Sequence, residues 1–214
     1  MIAGLGDEPS IMLGCKHIYH VRCLITKVSK RWPSPRMTFD FLNCSQCKTL
    51  MTFPNPHPEL QQHMNWLLQK KEQMEAMALQ RAKHEGIDKA DRLKIPGDPY
   101  YNNLLKWAIF KCAYYLCHSC KKPYFGGLKD CLNAQDAQDF KAEELVCGKC
   151  AADTLGVGNA KCAKHGTDFI EFKCKFCCSI AQWFCWGNTH FCDPCHKRQC
   201  AGDYVSRKKA SELP

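Results

Sequence analysis

No stretch of the sequence carries the roughly 18–20 consecutive apolar residues needed to cross a bilayer as a helix, so no membrane span is expected. Residues 1–20 also lack a basic start followed by a long apolar run. No secretory signal is therefore legible, and the chain reads as soluble and intracellular, most simply cytoplasmic. There is no low-complexity tract and no unit repeated at a fixed length. Regular finger spacing beside a basic helix is missing too, which argues against a nucleic-acid-binding zinc finger. Residues 1–14 contain no cysteine at all.

The rest of the chain is the opposite, with 18 cysteines among 214 residues. In a secreted protein that density would imply a disulfide framework. In a reducing compartment, C-x2-C pairs interleaved with histidines favour tetrahedral zinc, because two thiolates three positions apart can wrap one face of the ion. The formal charge of +9 must be read in that light. Ligand cysteines bind as thiolates, so about fourteen of them holding about four Zn2+ ions would lower the sum to roughly +3. The basic surplus is thus weak support for a nucleic-acid partner, and none is expected.

The cysteines fall into two clusters. The first is Cys15-Lys16-His17-Ile18-Tyr19-His20-Val21-Arg22-Cys23, followed by Cys44-Ser45-Gln46-Cys47. The turn signal Asn55-Pro56-His57-Pro58 then precedes apolar residues at helical spacing (Leu60, Met64, Leu67, Leu68, Met74, Ala78, Leu79). This pattern predicts one amphipathic helix over 58–85, ending near Gly86. Glu59, Glu72 and Glu75 interrupt its basic face, so it reads as a spacer rather than a membrane-surface helix. A break at Ile95-Pro96-Gly97-Asp98-Pro99 marks a boundary, and the aromatic-rich stretch Tyr100 to Leu116 suggests a second helix. Beyond it come five close pairs: Cys117/Cys120, Cys147/Cys150, Cys162/His165, Cys174/Cys177 with the adjacent Cys178, and Cys192/Cys195.

The first cluster, C-x-H-x2-H-x2-C followed by C-x2-C, resembles the later part of a RING domain. By RING ligand order, Cys15, His17, Cys44 and Cys47 close one zinc site, while His20 and Cys23 supply half of another. Ala113-Tyr114-Tyr115-Leu116-Cys117, Tyr124-Phe125-Gly126-Gly127, Cys162-Ala163-Lys164-His165-Gly166-Thr167-Asp168-Phe169 and Thr189-His190-Phe191-Cys192 extend the match. Over roughly residues 11–214 the chain resembles the C-terminal RING, linker and tandem cysteine region of the Pam/Highwire family of ubiquitin ligases. The resemblance implies an α+β fold of small zinc-stabilised modules with little extended sheet. In order these are an unstructured start (1–10), a partial RING (11–52), a helical linker (53–95), a tandem cysteine zinc-binding domain (96–204) and a mobile tail (205–214).

The resemblance further implies a transferase that takes ubiquitin from a ubiquitin-conjugating enzyme. It relays ubiquitin through two cysteines and esterifies it onto a threonine or serine hydroxyl of a protein substrate. Cys131 matches the upstream relay cysteine; its plain alternative is an incidental thiol or stray ligand. Cys185 matches the downstream one, and its alternative is a core cysteine among aromatics. His196 matches the general base, with a zinc-ligand role as the competing assignment. Glu144 matches a family glutamate at the transfer site, or is a solvated carboxylate. The acceptor pocket falls on Trp186 and Phe191, with Gln199 departing from the family pattern. Cys112 and Cys200 match no ligand. By the same comparison the chain ends before the family's last cysteine and histidine pairs, which predicts an incomplete site around Cys192/Cys195. The competing function is a non-catalytic zinc scaffold for ubiquitin-conjugation partners, favoured by the absent first RING pair.

Overall fold

The computed structural model describes residues 8–55, 57–128, 143, 145–150, 174, 176–177, 179, 181–185 and 189–203, with backbone alone for Phe184, Cys185 and Thr189. The chain divides into two compact units, 1–72 and 73–214.

In the first unit, β1 (Ser10–Met12) and β2 (Ile18–His20) form an antiparallel hairpin in the register Ser10↔His20 and Met12↔Ile18. Helix α1 (Val21–Ser29) follows directly and buries Leu24 and Val28, four positions apart on one face. Helix α2 (Pro58–His84) begins at a proline, whose missing N–H costs nothing in the first turn. Leu60, Met64 and Leu67 of α2 join Ile11, Leu13, Leu24, Val28, Leu42, Cys44 and Met51 in one buried cluster. Gly14 donates its N–H to Thr52 O at 2.8 Å, and a Cβ there would collide with Thr52 Oγ1. A side chain immediately before Cys15 would therefore force Thr52 to turn its hydroxyl away.

In the second unit, α2 continues its buried stripe through Met74, Ala78 and Ala82. Gly86, at φ 70°, ends the helix in a left-handed cap, with its N–H bonded to Lys83 O. The expected helix over 58–85 therefore forms nearly to the residue. The expected second helix does not extend as far as its aromatics suggest. Helix α3 covers Leu104–Lys111, capped by Asn103 accepting from the Lys106 N–H at 2.9 Å, and Cys112–Leu116 is strand β3. Ala113, Tyr114 and Tyr115 are buried without a helical period, which is the signature of a strand covered on both faces.

Strand β3 pairs antiparallel with β4 (Pro123–Leu128), and β4 pairs in parallel with β5 (Trp183–Cys185) at Leu128↔Trp183. Strand β5 pairs antiparallel with β6 (Thr189–Phe191), and helix α4 (Asp193–Cys200) follows. The fold is mixed α+β, with the long helix α2 beside small helices and short strands, and its four-stranded sheet is more extended than the sequence suggests.

Candidate metal centres

Three ligand quartets stand out among the described residues: Cys15/His17/Cys44/Cys47, Cys117/Cys120/Cys147/Cys150 and Cys174/Cys177/Cys192/Cys195. Within each, the ligand atoms all lie within 4.8 Å of one another, a spacing suited to a metal ion. The first is the set expected from RING order.

One local turn builds half of each quartet. The N–H of the first cysteine donates to the carbonyl five residues on: Cys44 to Thr49 at 2.7 Å, Cys117 to Lys122 at 2.9 Å, and Cys174 to Ser179 at 2.8 Å. In two of these turns the residue after the second cysteine is a lysine in the left-handed region, Lys48 at φ 61° and Lys121 at φ 54°. Each donates its N–H to the first cysteine's carbonyl, at 2.9 Å and 3.0 Å respectively. Reversing the chain this tightly brings two thiols three positions apart onto one side.

The other half of each quartet comes from a different element. Cys15 and His17 flank Lys16, also left-handed at φ 70°, in the β1–β2 loop. Cys147 and Cys150 approach the β3–β4 loop, with Cys120 Sγ 3.8 Å from Cys147 Sγ and the Cys147 N–H 3.3 Å from Cys117 Sγ. Cys192 caps α4 and Cys195 lies in its first turn; Cys177 Sγ is 3.3 Å from Cys192 Sγ. The third quartet is therefore complete, against the expectation that ligands would be missing around Cys192/Cys195. Sequence distance hid its partner pair, which is supplied from upstream.

The thiols in each quartet titrate unequally. Burial raises the Cys44 thiol, but Tyr19 Oη at 3.2 Å and the N–H groups of Cys47 and Gln46 outweigh it and bring it down to about 6. The hydroxyl and N–H of Ser179 lower Cys177 to about 6. Burial of Cys117 is outweighed by the N–H groups of Cys147 and Cys120, which bring it to about 7. Cys147 and Cys195 are pushed up by burial and, after it, by the neighbouring thiols. Each quartet thus mixes readily ionised sulfurs with others that burial and like charge keep protonated. A divalent cation among the four removes that repulsion and favours thiolates throughout.

His20 and Cys23 lie apart from these sets. Cys23 Sγ is 3.8 Å from His20 Nδ1, His20 Nε2 is buried without a hydrogen bond, and no third described ligand joins them. Cys112 is buried and Cys200 exposed, and neither enters a quartet.

Of the transfer residues, Cys131, Glu144 and Trp186 lie outside the described residues, as do the candidate ligands Cys162, His165 and Cys178. Cys185 is the last residue of β5, paired with Thr189. His196 is on α4, 6% exposed, and belongs to no quartet. Its ring stacks on Trp183 with centroids 4.2 Å apart and meets Phe191 edge-on at 5.8 Å. Phe191 is fully buried and stacks on Phe176 at 4.7 Å, so it lies beneath His196 rather than at the surface. Sequence reasoning missed Tyr19, Thr49, Ser179 and Trp183. A legible signal existed for two of them: a hydroxyl residue stands two positions after the second cysteine in Cys47-Lys48-Thr49 and Cys177-Cys178-Ser179, and its oxygen lies 3.0 Å and 3.4 Å from the sulfur.

No family model matches the chain. It is 39% identical over 194 residues to the E3 ubiquitin-protein ligase MYCBP2 of Danio rerio, a match covering 90% of this chain and 4% of that protein. It is 40% identical over 196 residues to the E3 ubiquitin-protein ligase highwire of Drosophila melanogaster, covering 91% of this chain and again 4% of that protein. The chain is therefore homologous to a short segment of Pam/Highwire ubiquitin ligases, and it spans about 4% of the length of these curated relatives.

Proposed function

We propose that this chain is the RING, linker and tandem cysteine part of a ubiquitin transferase, with Zn2+ in its quartets. It relays ubiquitin from Cys131 to Cys185 and esterifies it onto a threonine or serine hydroxyl. Thiolate-rich sets of four ligands suit zinc best among common divalent ions. Tetrahedral Zn–S bonds of about 2.3 Å place sulfurs about 3.8 Å apart, which the Cys120–Cys147 spacing of 3.8 Å matches.

The observation that carries the relay is the parallel pairing of β4 with β5. Leu128, three positions before Cys131, is paired with Trp183, two positions before Cys185. Successive Cα atoms are about 3.8 Å apart, so connectivity alone keeps Cys131 within about 11 Å of Leu128. Both cysteines are thus tethered to one pairing point in the sheet.

The chemistry assigned to the chain's own residues balances as follows. The Cys131 thiolate attacks the thioester carbonyl of the conjugating enzyme's ubiquitin and releases that enzyme's cysteine as thiolate. The Cys185 thiolate then attacks the Cys131 thioester and releases Cys131. Finally a substrate hydroxyl gives its proton to a ring nitrogen of His196 while its oxygen attacks the Cys185 thioester carbonyl. The C–S bond breaks, the ester forms, and Cys185 leaves as thiolate. The completeness of the third quartet without His196 supports the base assignment over the ligand one. Glu144 and Trp186 are proposed to line the acceptor site, and the buried Phe191 to back the His196 ring. Ubiquitin, a conjugating enzyme and a hydroxyl-bearing protein are the proposed partners.

The test offers the chain a ubiquitin-loaded conjugating enzyme and looks for thioesters on Cys131 and Cys185, each changed to alanine in turn. A hydroxylamine-sensitive, thiol-resistant product on added threonine, lost in His196→Ala, establishes esterification. Absence of both thioesters sinks the relay. The isolated His20/Cys23 pair favours a second reading, a zinc scaffold that binds conjugation partners without transfer. That reading is the one left standing if partners bind and no thioester forms.

A further inference from the structure

We propose that Trp183 is a positioning residue for His196, fixing the plane in which the imidazole meets the acceptor hydroxyl; the inference rests on the reading of His196 as general base. The indole and imidazole rings are 3° from parallel with centroids 4.2 Å apart. An imidazole on a helix turns about a soft terminal torsion, so its place on α4 does not by itself set where its nitrogens point. A face-to-face contact with a larger ring fixes the plane in which those nitrogens lie, because turning the imidazole out of plane drives its edge into the indole.

The indole is itself held on three sides. Its backbone is in β5, paired with Leu128 of β4 and with Phe191 of β6. Its Nε1–H donates to Asp193 Oδ1 at 3.3 Å. Asp193 in turn is anchored by Lys197 Nζ at 2.7 Å, one helical turn on. Phe191 closes a second side of His196 edge-on, at an interplanar angle of 72°, and Cys200 Sγ lies 3.8 Å from Nε2 and 4.0 Å from Nδ1. Trp183 and Cys185 share one three-residue strand. The group that orients the base and the sulfur that carries the ester precursor are therefore fixed to the same piece of backbone.

The test uses the full chain loaded with ubiquitin bearing a C-terminal mercaptoethanesulfonate thioester, which transfers to a cysteine without a conjugating enzyme. Discharge is followed to free threonine and, separately, to hydroxylamine, which attacks a thioester without a general base. Misplacing a catalytic group by about 1 Å costs about a hundredfold, so Trp183→Leu is expected to slow threonine esterification by about tenfold to a hundredfold, in kcat rather than KM. Hydroxylamine discharge should stay unchanged, and Trp183→Phe, which keeps a ring face, should recover most of the rate. If His196→Ala abolishes threonine transfer and Trp183→Leu does not slow it, the positioning role is overturned and the base reading stands. If both nucleophiles slow equally in Trp183→Leu, the residue is merely structural and the proposal fails. Undiminished threonine transfer in His196→Ala removes the base reading, and no thioester on the unmodified chain removes the relay; either takes this inference with it.

Discussion

Replacing Cys177 by serine separates metal from packing. Cys177 is the exposed member of the third quartet, so truncating it removes almost no buried surface. Without a metal, an exposed substitution of this kind shifts stability by about 0.5 kcal/mol or less. The aromatic cluster alone is too small to hold the region. Its buried members are Phe176, Phe191 and three of the ligands, Cys174, Cys192 and Cys195. Two buried phenylalanines contribute about 3–6 kcal/mol. Ordering the backbone of the eight-residue helix α4 costs about 8–16 kcal/mol. Structural zinc in small modules supplies about 10–16 kcal/mol, enough to close that gap. Losing even a quarter of it costs about 2.5–4 kcal/mol. Cys177→Ser should therefore lower metal content by one ion per chain and strip amide-exchange protection from residues 193–200, while residues 60–82 of α2 remain protected. Cys200→Ser, exposed and outside every quartet, should leave metal content unchanged. Full protection of α4 in Cys177→Ser would refute the argument that a metal ion holds this part of the sheet.

Three further outcomes are expected. Lys121 sits at φ 54°, a conformation costing a non-glycine residue about 1–2 kcal/mol. Lys121→Gly should stabilise the chain by about 0.5–1 kcal/mol after the entropy that glycine loses, read as a higher thermal midpoint; a lower one contradicts the strain. In the metal-free chain, the Cys44 thiol stands at about 6 against an ordinary 9.0. Its contribution to stability is then complete above pH 9 and lost as pH falls through about 6. Tyr19→Phe removes the hydroxyl 3.2 Å from that sulfur and should shift Cys44 ionisation, read as thiolate ultraviolet absorbance against a Cys44→Ser control, to higher pH; an unchanged profile would discount the tyrosine. Arg81, 6% exposed, covers the Phe125 ring at 4.4 Å and pairs with Glu85 at 3.2 Å. Arg81→Ala should cost about 1–3 kcal/mol, and Arg81→Met, which keeps the apolar stem, distinctly less in denaturant melts.

The features legible in the sequence were local ones. Helix α2 was readable because its buried residues recur every three or four positions over many turns, and periodicity survives any tertiary context. The first quartet was readable because RING resemblance fixes an order of ligands. Where the sequence misled, distant residues decide. The aromatic run at 112–116 is a strand because β4 lies beside it, a partner invisible in a local window. The Cys192/Cys195 pair looked stranded because spacing identifies pairs without saying which pairs converge; Cys174 and Cys177 meet it only once β5 and β6 fold between them. Trp183 could not be singled out, since its significance is a contact with one residue on another element.

Under the proposed relay, that geometry also accounts for the surplus of cysteines over the two assigned to carry ubiquitin. The sheet β3-β4-β5-β6 carries a quartet at the β3–β4 loop and another where β6 enters α4. Each small core beside these quartets counts ligand cysteines among its buried members, so metal and packing are one structure there. Between them lies the Leu128↔Trp183 pairing, from which the chain runs on toward Cys131 on one strand and Cys185 on the other. A nucleophilic thiol must be accessible and ionised to attack, yet within reach of its partner. Under that proposal, metal-filled quartets on either side of the pairing would meet both demands, fixing the strands while Cys131 and Cys185 stay outside the ligand sets. Chelation should therefore abolish transfer from Cys131 to Cys185 before it disturbs α1 and the first turns of α2. Their buried leucines and valine belong to a larger core in which Cys44 is the one fully buried ligand.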